Sequence, residues 1–127
     1  MNLIFGIGTD IVETNRIKIL FNKNKKFKTR IFSTKEINYC ESKLDKIASY
    51  SKRFAAKEAF AKALGTGISK GISFNEISIN NNKNGAPFIV LLGKTKTITQ
   101  NLIKKRKIFL SLSDEKKYAI SMVIISS

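Results

Sequence analysis

"RFAAKEAFAKALGTG", residues 53 to 67, is the stretch on which the fold turns. At about 100° per residue, Ala56, Ala59, Phe60, Ala63 and Leu64 share one arc of a helix, and Arg53, Lys57, Glu58 and Lys62 share the opposite arc. The pattern predicts a helix from near Asp45 to Leu64, stopped by Gly65 in a left-handed conformation. Alanines on the buried arc allow a neighbouring element to approach closely. Glu58 is the only carboxylate of the stretch.

Upstream, residues 2–11, "NLIFGIGTDI", read as an apolar strand, and Gly6 and Gly8 mark a place where another element comes close. From Val12, apolar residues at Ile17, Leu20 and Phe21 have helical spacing. "NKNKKFKTRIF", residues 22–32, is a basic, partly helical connection. "STKE" at 33–36 is a capping box that opens a helix through Lys43, with Ser33 and Glu36 bonding each other's backbone.

Downstream, "SFNEISI" (73–79) and "PFIVLL" (87–92) read as strands, and Asn84-Gly85 favours a tight turn between them. "KTKTITQNLIKK" (94–105) reads as a helix, and "IFLSLS" (108–113) and "YAISMVIIS" (118–126) as a hairpin turning at "DEKK". The expected architecture is α+β: a small antiparallel sheet packed with a long central helix and shorter helices, in a single domain over residues 1–127.

Composition narrows the chemistry. With no His and one Cys, Cys40, the chain lacks the residues for a zinc site, an internal disulfide, or a Cys-His or Ser-His nucleophile. A metal here is expected to be a hard cation held by oxygen. The single cysteine fits a reducing, cytoplasmic setting, the N-terminus lacks the basic leader of a signal peptide, and no apolar run is long enough to span a bilayer. Twenty-four Lys and Arg stand against nine Asp and Glu, a net charge of +15. Such a balance favours an anionic partner: a nucleic acid, a phosphorylated cofactor, an acidic protein or a membrane surface. A general drift toward Lys and Asn, as in "NKNKKFK", would raise the charge without any function.

Nine acids are few enough to weigh singly. Glu36 is accounted for by the cap. Glu13 complements a helix dipole, and Glu41, Asp45, Glu76 and Glu115 read as surface groups. Asp10 ends an apolar strand, either as a cap or hydrogen-bond partner for the following loop, or as part of a site. Glu58 is either one half of an i,i+4 pair with Lys62 or a metal ligand. Lys62, followed by the glycines of "GTG", offers a cation and backbone donors suited to phosphate. Two carboxylates with flanking lysines describe a magnesium ion bridging protein to pyrophosphate.

"GIGTDIVE" (6–13), "RFAAKEAFAKALGTGI" (53–68), "ISFNEISI" (72–79), "NGAP" (84–87) and "SLSDEKKYAISMVI" (111–124) together resemble the short bacterial 4′-phosphopantetheinyl transferases, the holo-acyl-carrier-protein synthase family, over nearly the whole chain. The resemblance implies transfer of the phosphopantetheine arm of coenzyme A to a serine of acyl carrier protein, releasing adenosine 3′,5′-bisphosphate, in support of fatty acid biosynthesis. It implies Mg2+ on Asp10 and Glu58, and a catalytic role for Lys62. Coenzyme A is expected at Arg53, Lys57, Lys62, Gly65, Thr66, Asn84, Gly85, Pro87 and Asp114. Arg16, Lys23, Lys26 and Arg30 are the implied docking residues for the acidic carrier, and a homotrimer with sites between subunits is the implied assembly. The chain departs from the family's usual pattern in having Asp114 in place of His and Ala86 in place of a cation. An anion at 114 would repel a nearby phosphate. The rival reading is a small basic nucleic-acid-binding module, supported by the charge and a pI of about 10.1. Its weakness is that the aromatics are mostly Phe within apolar runs. A third reading is an adaptor that grips acyl carrier protein without turnover.

Overall fold

A computed structural model describes residues 3–127. The expected strand start at Asn2 lies outside the described residues. The elements run β1 (Ile4–Glu13), α1 (Thr14–Lys23), α2 (Phe27–Ile31), α3 (Thr34–Glu41), α4 (Lys46–Leu64), a 3-10 turn (Phe74–Glu76), β2 (Ile77–Asn81), β3 (Pro87–Leu91), α5 (Gly93–Ile103), β4 (Lys107–Glu115) and β5 (Tyr118–Ser126). β5 is the centre of an antiparallel sheet in the order β1-β5-β4, and β2 and β3 form a separate antiparallel hairpin.

The long helix forms where its local signals place it. The Asp45 carboxylate accepts from the Ala48 N–H at one end, and Gly65, at φ 87°, stops it at the other. The helix is buried almost all round, because a different layer covers each of its sides. Ala56, Ala59, Phe60, Ala63 and Leu64 join Ile77, Ile79, Val123 and Ile125 in one apolar cluster. Tyr50, Phe54 and Ala55 join Val12, Ile17, Phe32 and Cys40 in a second.

β1 lies directly on this helix. A Cβ added at Gly6 would strike the carbonyl oxygen of Ala63, and one at Gly8 the carbonyl oxygen of Ala59. The two glycines and the two alanines together permit the contact. Since strand side chains alternate, Asp10 and Val12 share the α4-facing side of β1 with Gly6 and Gly8.

Several boundaries differ from the sequence expectation. β1 continues to Glu13, paired with Tyr118, so α1 starts at Thr14 rather than Val12. The helix opened by the capping box ends at Glu41 rather than Lys43. Phe74–Glu76 is a 3-10 turn, and the strand begins only at Ile77. Asp114 and Glu115 continue β4, paired with Ala119 and Tyr118, which leaves Lys116 and Lys117 as the hairpin turn. Lys116 takes the left-handed conformation there, φ 43°.

Candidate active site

Packing of β1 on α4 brings Asp10 and Glu58 together from 48 positions apart. Burial pushes the Glu58 carboxyl above its ordinary range, and the negative charge of Asp10 pushes it further the same way. Lys62 and Arg16 oppose the shift, so all four groups share one electrostatic neighbourhood. Lys62 Nζ lies 3.2 Å from Asp10 Oδ1 and donates to the Thr9 carbonyl at 2.9 Å. Lys62 therefore pairs with Asp10 across the β1–α4 contact, not with Glu58 one turn back. Among the described residues Glu58 has no ion pair within 4.0 Å, and no third acid, His or Cys completes a metal cage.

Three of the expected phosphate contacts, Lys57, Gly65 and Thr66, are engaged inside the fold. Lys57 is fully buried: its ammonium lies 2.7 Å from Glu36 Oε1 and donates to the carbonyls of Phe74 and Ile77. Burial pushes it down to about 8, against the upward pull of Glu36. All three ammonium protons have partners inside the fold, so none is left for a substrate phosphate. Glu36 keeps its capping role by accepting from the Ser33 N–H, and beyond the cap it also accepts from the Ile79 N–H. It joins α3, α4 and β2 in one buried knot. At the end of α4, the N–H groups of Gly65 and Gly67 bond the carbonyls of Ala61 and Lys62, and the Thr66 hydroxyl donates to the Gly67 carbonyl. These donors terminate the helix and are not free for phosphate.

The remaining coenzyme A candidates gather elsewhere. Arg53, Gly85, Pro87 and Asp114 line a cleft of about 650 Å³ together with Tyr39, Lys43 and Lys52. Asn84 lies in the adjoining turn, its N–H bonded to Asn82 Oδ1. Arg53 is 2% exposed, not on a solvated arc. Its guanidinium lies 4.2 Å over the Tyr39 ring and donates to Ser49 and Asn81. The Arg53 Nε is buried without an acceptor. Asp114, unexplained by sequence, pairs with Lys52 at 3.1 Å. Lys52 was missed because nothing near it in sequence distinguishes it from any surface lysine. The cleft and the Asp10–Glu58 pair share no residue.

Arg16, Lys23, Lys26 and Arg30 are all exposed, on α1 and the α2 segment. Phe21, Phe27, Phe32, Phe54, Phe74 and Tyr50 pack on one another instead of forming a stacking platform, against the nucleic-acid reading. No helix among the described residues is long and apolar enough to cross a membrane.

The chain's sequence and fold match a known group of enzymes. The chain belongs to the 4'-phosphopantetheinyl transferase superfamily, whose family model matches residues 6–123. It is similar to the holo-[acyl-carrier-protein] synthase of Pelagibacter ubique (strain HTCC1062), with 46% identity over 124 residues and 96% of each chain covered. It is also similar to two crystal structures. One is the holo-(acyl-carrier-protein) synthase of Bacillus anthracis str. Ames in complex with CoA (3',5'-ADP), with a TM-score of 0.80, 33% identity and 99% of each chain covered. The other is the holo-[acyl-carrier-protein] synthase of Neisseria meningitidis, with a TM-score of 0.87, 33% identity, and 98% of this chain and 99% of that one covered. The architecture is the α+β fold of that family.

Proposed function

We propose that this chain, as one domain over residues 1–127, transfers 4′-phosphopantetheine from coenzyme A to a serine of apo acyl carrier protein, in support of fatty acid biosynthesis. The observation that carries this reading is the packing of β1 on α4, which sets Asp10 and Glu58 in one partly desolvated electrostatic neighbourhood where like charge raises the Glu58 carboxyl. Two carboxylates kept together at that cost suit a hard divalent cation, and two protein ligands suit Mg2+, which keeps waters and substrate phosphate oxygens in its shell. When bound, Mg2+ supplies neutralising charge at the pyrophosphate.

The chain's own groups do the rest. Lys62, 53% exposed and anchored by Asp10, reaches the pyrophosphate with its outward side and stabilises charge on the leaving oxygen. The carrier serine Oγ attacks the phosphorus bearing pantetheine. The bond from that phosphorus to the adenosine 5′-phosphate oxygen breaks, and adenosine 3′,5′-bisphosphate leaves. The serine proton passes through water to Asp10 or Glu58. Arg53, Gly85, Pro87 and Asp114 hold the nucleotide end. Arg16, Lys23, Lys26 and Arg30 dock the acidic carrier, so the association rate falls as salt rises.

A homotrimer is part of this reading, with the cleft of one protomer serving the carboxylate pair of the next. Its support is the sheet face turned away from α4, where Phe5, Ile7, Ile11, Phe109, Tyr118, Ile120 and Met122 are all exposed. Contiguous apolar surface of this kind marks an interface. A cytoplasmic location rests on the lone cysteine, Cys40, which is free and buried.

The test is incubation with coenzyme A, Mg2+ and an apo carrier, followed by mass spectrometry of the carrier. The expected result is a gain of one phosphopantetheine. An unmodified carrier beside an active control enzyme overturns the proposal.

A further inference from the structure

Ser121, in the middle of β5, is 1% exposed, and its hydroxyl is buried without a hydrogen-bond partner among the described residues. β5 turns Ala119, Ser121, Val123 and Ile125 toward α4, and the other three are apolar. A buried hydroxyl left unpaired opposes folding, and alanine would pack there without that cost. The strand register supplies a reason for serine. Ser121 stands directly opposite Asp10 in the β1–β5 ladder, and Leu112 of β4 flanks it on the other side. Asp10 is the corresponding exception in β1, where Gly6, Gly8 and Val12 are the other residues on the α4 side. The polar intrusions of β1 and β5 are thus one cross-strand pair, with Cβ atoms about 4.5–5.5 Å apart in such pairing. The Thr9 hydroxyl donates to the Ser121 carbonyl at 3.0 Å and fixes the register at this rung. Lys62 meets Asp10 at Oδ1 and leaves Oδ2 outside that contact.

We infer that Ser121 is a positioning residue for Asp10: its hydroxyl donates to the Asp10 carboxylate and fixes the rotamer in which Asp10 meets a divalent cation. The inference rests on the proposed function, which gives Asp10 that cation. Side chains on one rung of a ladder meet by rotamer changes alone, with no movement of the backbone. A carboxylate that takes a cation on one oxygen is oriented by the donor bonded to its other lone pairs, and such outer partners set affinity as well as direction. Ser121 therefore acts through Asp10 and touches neither cation nor substrate. Its hydroxyl is kept in an apolar layer, at a cost to the fold, for the benefit of the site.

Stability and cation binding should move in opposite directions on one substitution. Ser121→Ala removes an unpaired buried hydroxyl, so the melting temperature stays level or rises. Its affinity for Mn2+, titrated by electron paramagnetic resonance as the probe of the carboxylates, falls about tenfold, the scale for losing an outer partner of a metal ligand. The Mg2+ concentration that half-saturates carrier modification rises by a similar factor, while the KM for apo carrier is unchanged. Ser121→Cys fills nearly the same space with a weak donor and is expected to match the alanine variant. Parent-like Mn2+ affinity in Ser121→Ala overturns the assignment. So does parent-like affinity in Ser121→Cys alone, because volume and not hydrogen bonding would then be the cause. An unsubstituted chain that takes up no Mn2+ overturns it as well. A carrier left unmodified by the unsubstituted chain, with the Mn2+ contrast intact, sinks the proposed transfer alone and leaves the role of Ser121 standing.

Discussion

Lys57 and Glu58 are neighbours in sequence and opposites in role. Lys57 points into the protein, where its ammonium meets Glu36 and two carbonyls. Glu58 is half-buried, feels the negative charge of Asp10, and has no ion-pair partner among the described residues. Removing the ammonium in Lys57→Met strands a buried carboxylate, and the expected loss is about 3–5 kcal/mol. Adding Glu36→Gln, which keeps a capping oxygen but drops the charge, restores much of it, and urea denaturation measures both. For the second residue the expectation is the reverse. Asp10→Ala and Glu58→Ala remove mutual repulsion, leave the melt intact, and reduce carrier modification at least about a hundredfold, the scale for losing one transition-state charge partner. Full activity in either variant would remove that residue from the site.

At the scale of elements, the decisive contact is β1 on α4. Gly8→Ala places a methyl against the Ala59 carbonyl, and separating strand from helix costs about 1–3 kcal/mol while parting Asp10 from Glu58. Carrier modification then falls with both carboxylates still present. A Gly8→Ala protein as active and as stable as the parent would contradict the packing. A second element-level device ties α2 to α3 and α4. Glu41 accepts from Tyr50 Oη at 2.7 Å and from Lys28 and Lys46 at 3.1 Å. The Tyr50 hydroxyl, with Lys28 behind it, lowers the Glu41 carboxyl from 4.5 to about 2. Its folded pKa lies below its unfolded value, so the unfolded chain binds the extra proton between them. The stabilisation is present above pH 4.5 and is lost as pH falls through about 2. Glu41→Gln should flatten that stretch of the stability–pH curve, as followed by urea titrations. The effect is modest because the group is partly exposed and screened by solvent.

At the scale of the molecule, the sheet has two unlike faces. One rests on α4, while the other carries Ile7, Ile11, Ile120 and Met122 into the open. Ile120→Lys and Met122→Lys should reduce the proposed trimer to single protomers in light scattering and lower carrier modification, if the site is shared between copies. An unsubstituted chain that scatters as a single protomer would refute the assembly. Much of the architecture was legible because its signals act within about one turn of chain. The capping box at Ser33, the Asp45 to Leu64 helix, the Gly65 stop and the Asn84-Gly85 turn each need only neighbouring residues. The β4–β5 turn was misplaced by two residues, because Asp114 and Glu115 look like turn residues and are held in the strand by pairing with β5.

By itself, then, the sequence determined the order and kind of elements, limited any metal site to hard oxygen ligands, and, through motif resemblance, pointed to Asp10 and Glu58 as the acids proposed for it. Only the tertiary structure decided which charge meets which. It turned Lys62 to Asp10 instead of Glu58, buried Lys57 on Glu36, and set Lys52 against Asp114. Caps, turns and periodicity are local and can be read along the chain. An ion pair depends on where two distant backbones come to lie, and here that followed from two glycines of β1 fitting against two alanines of α4.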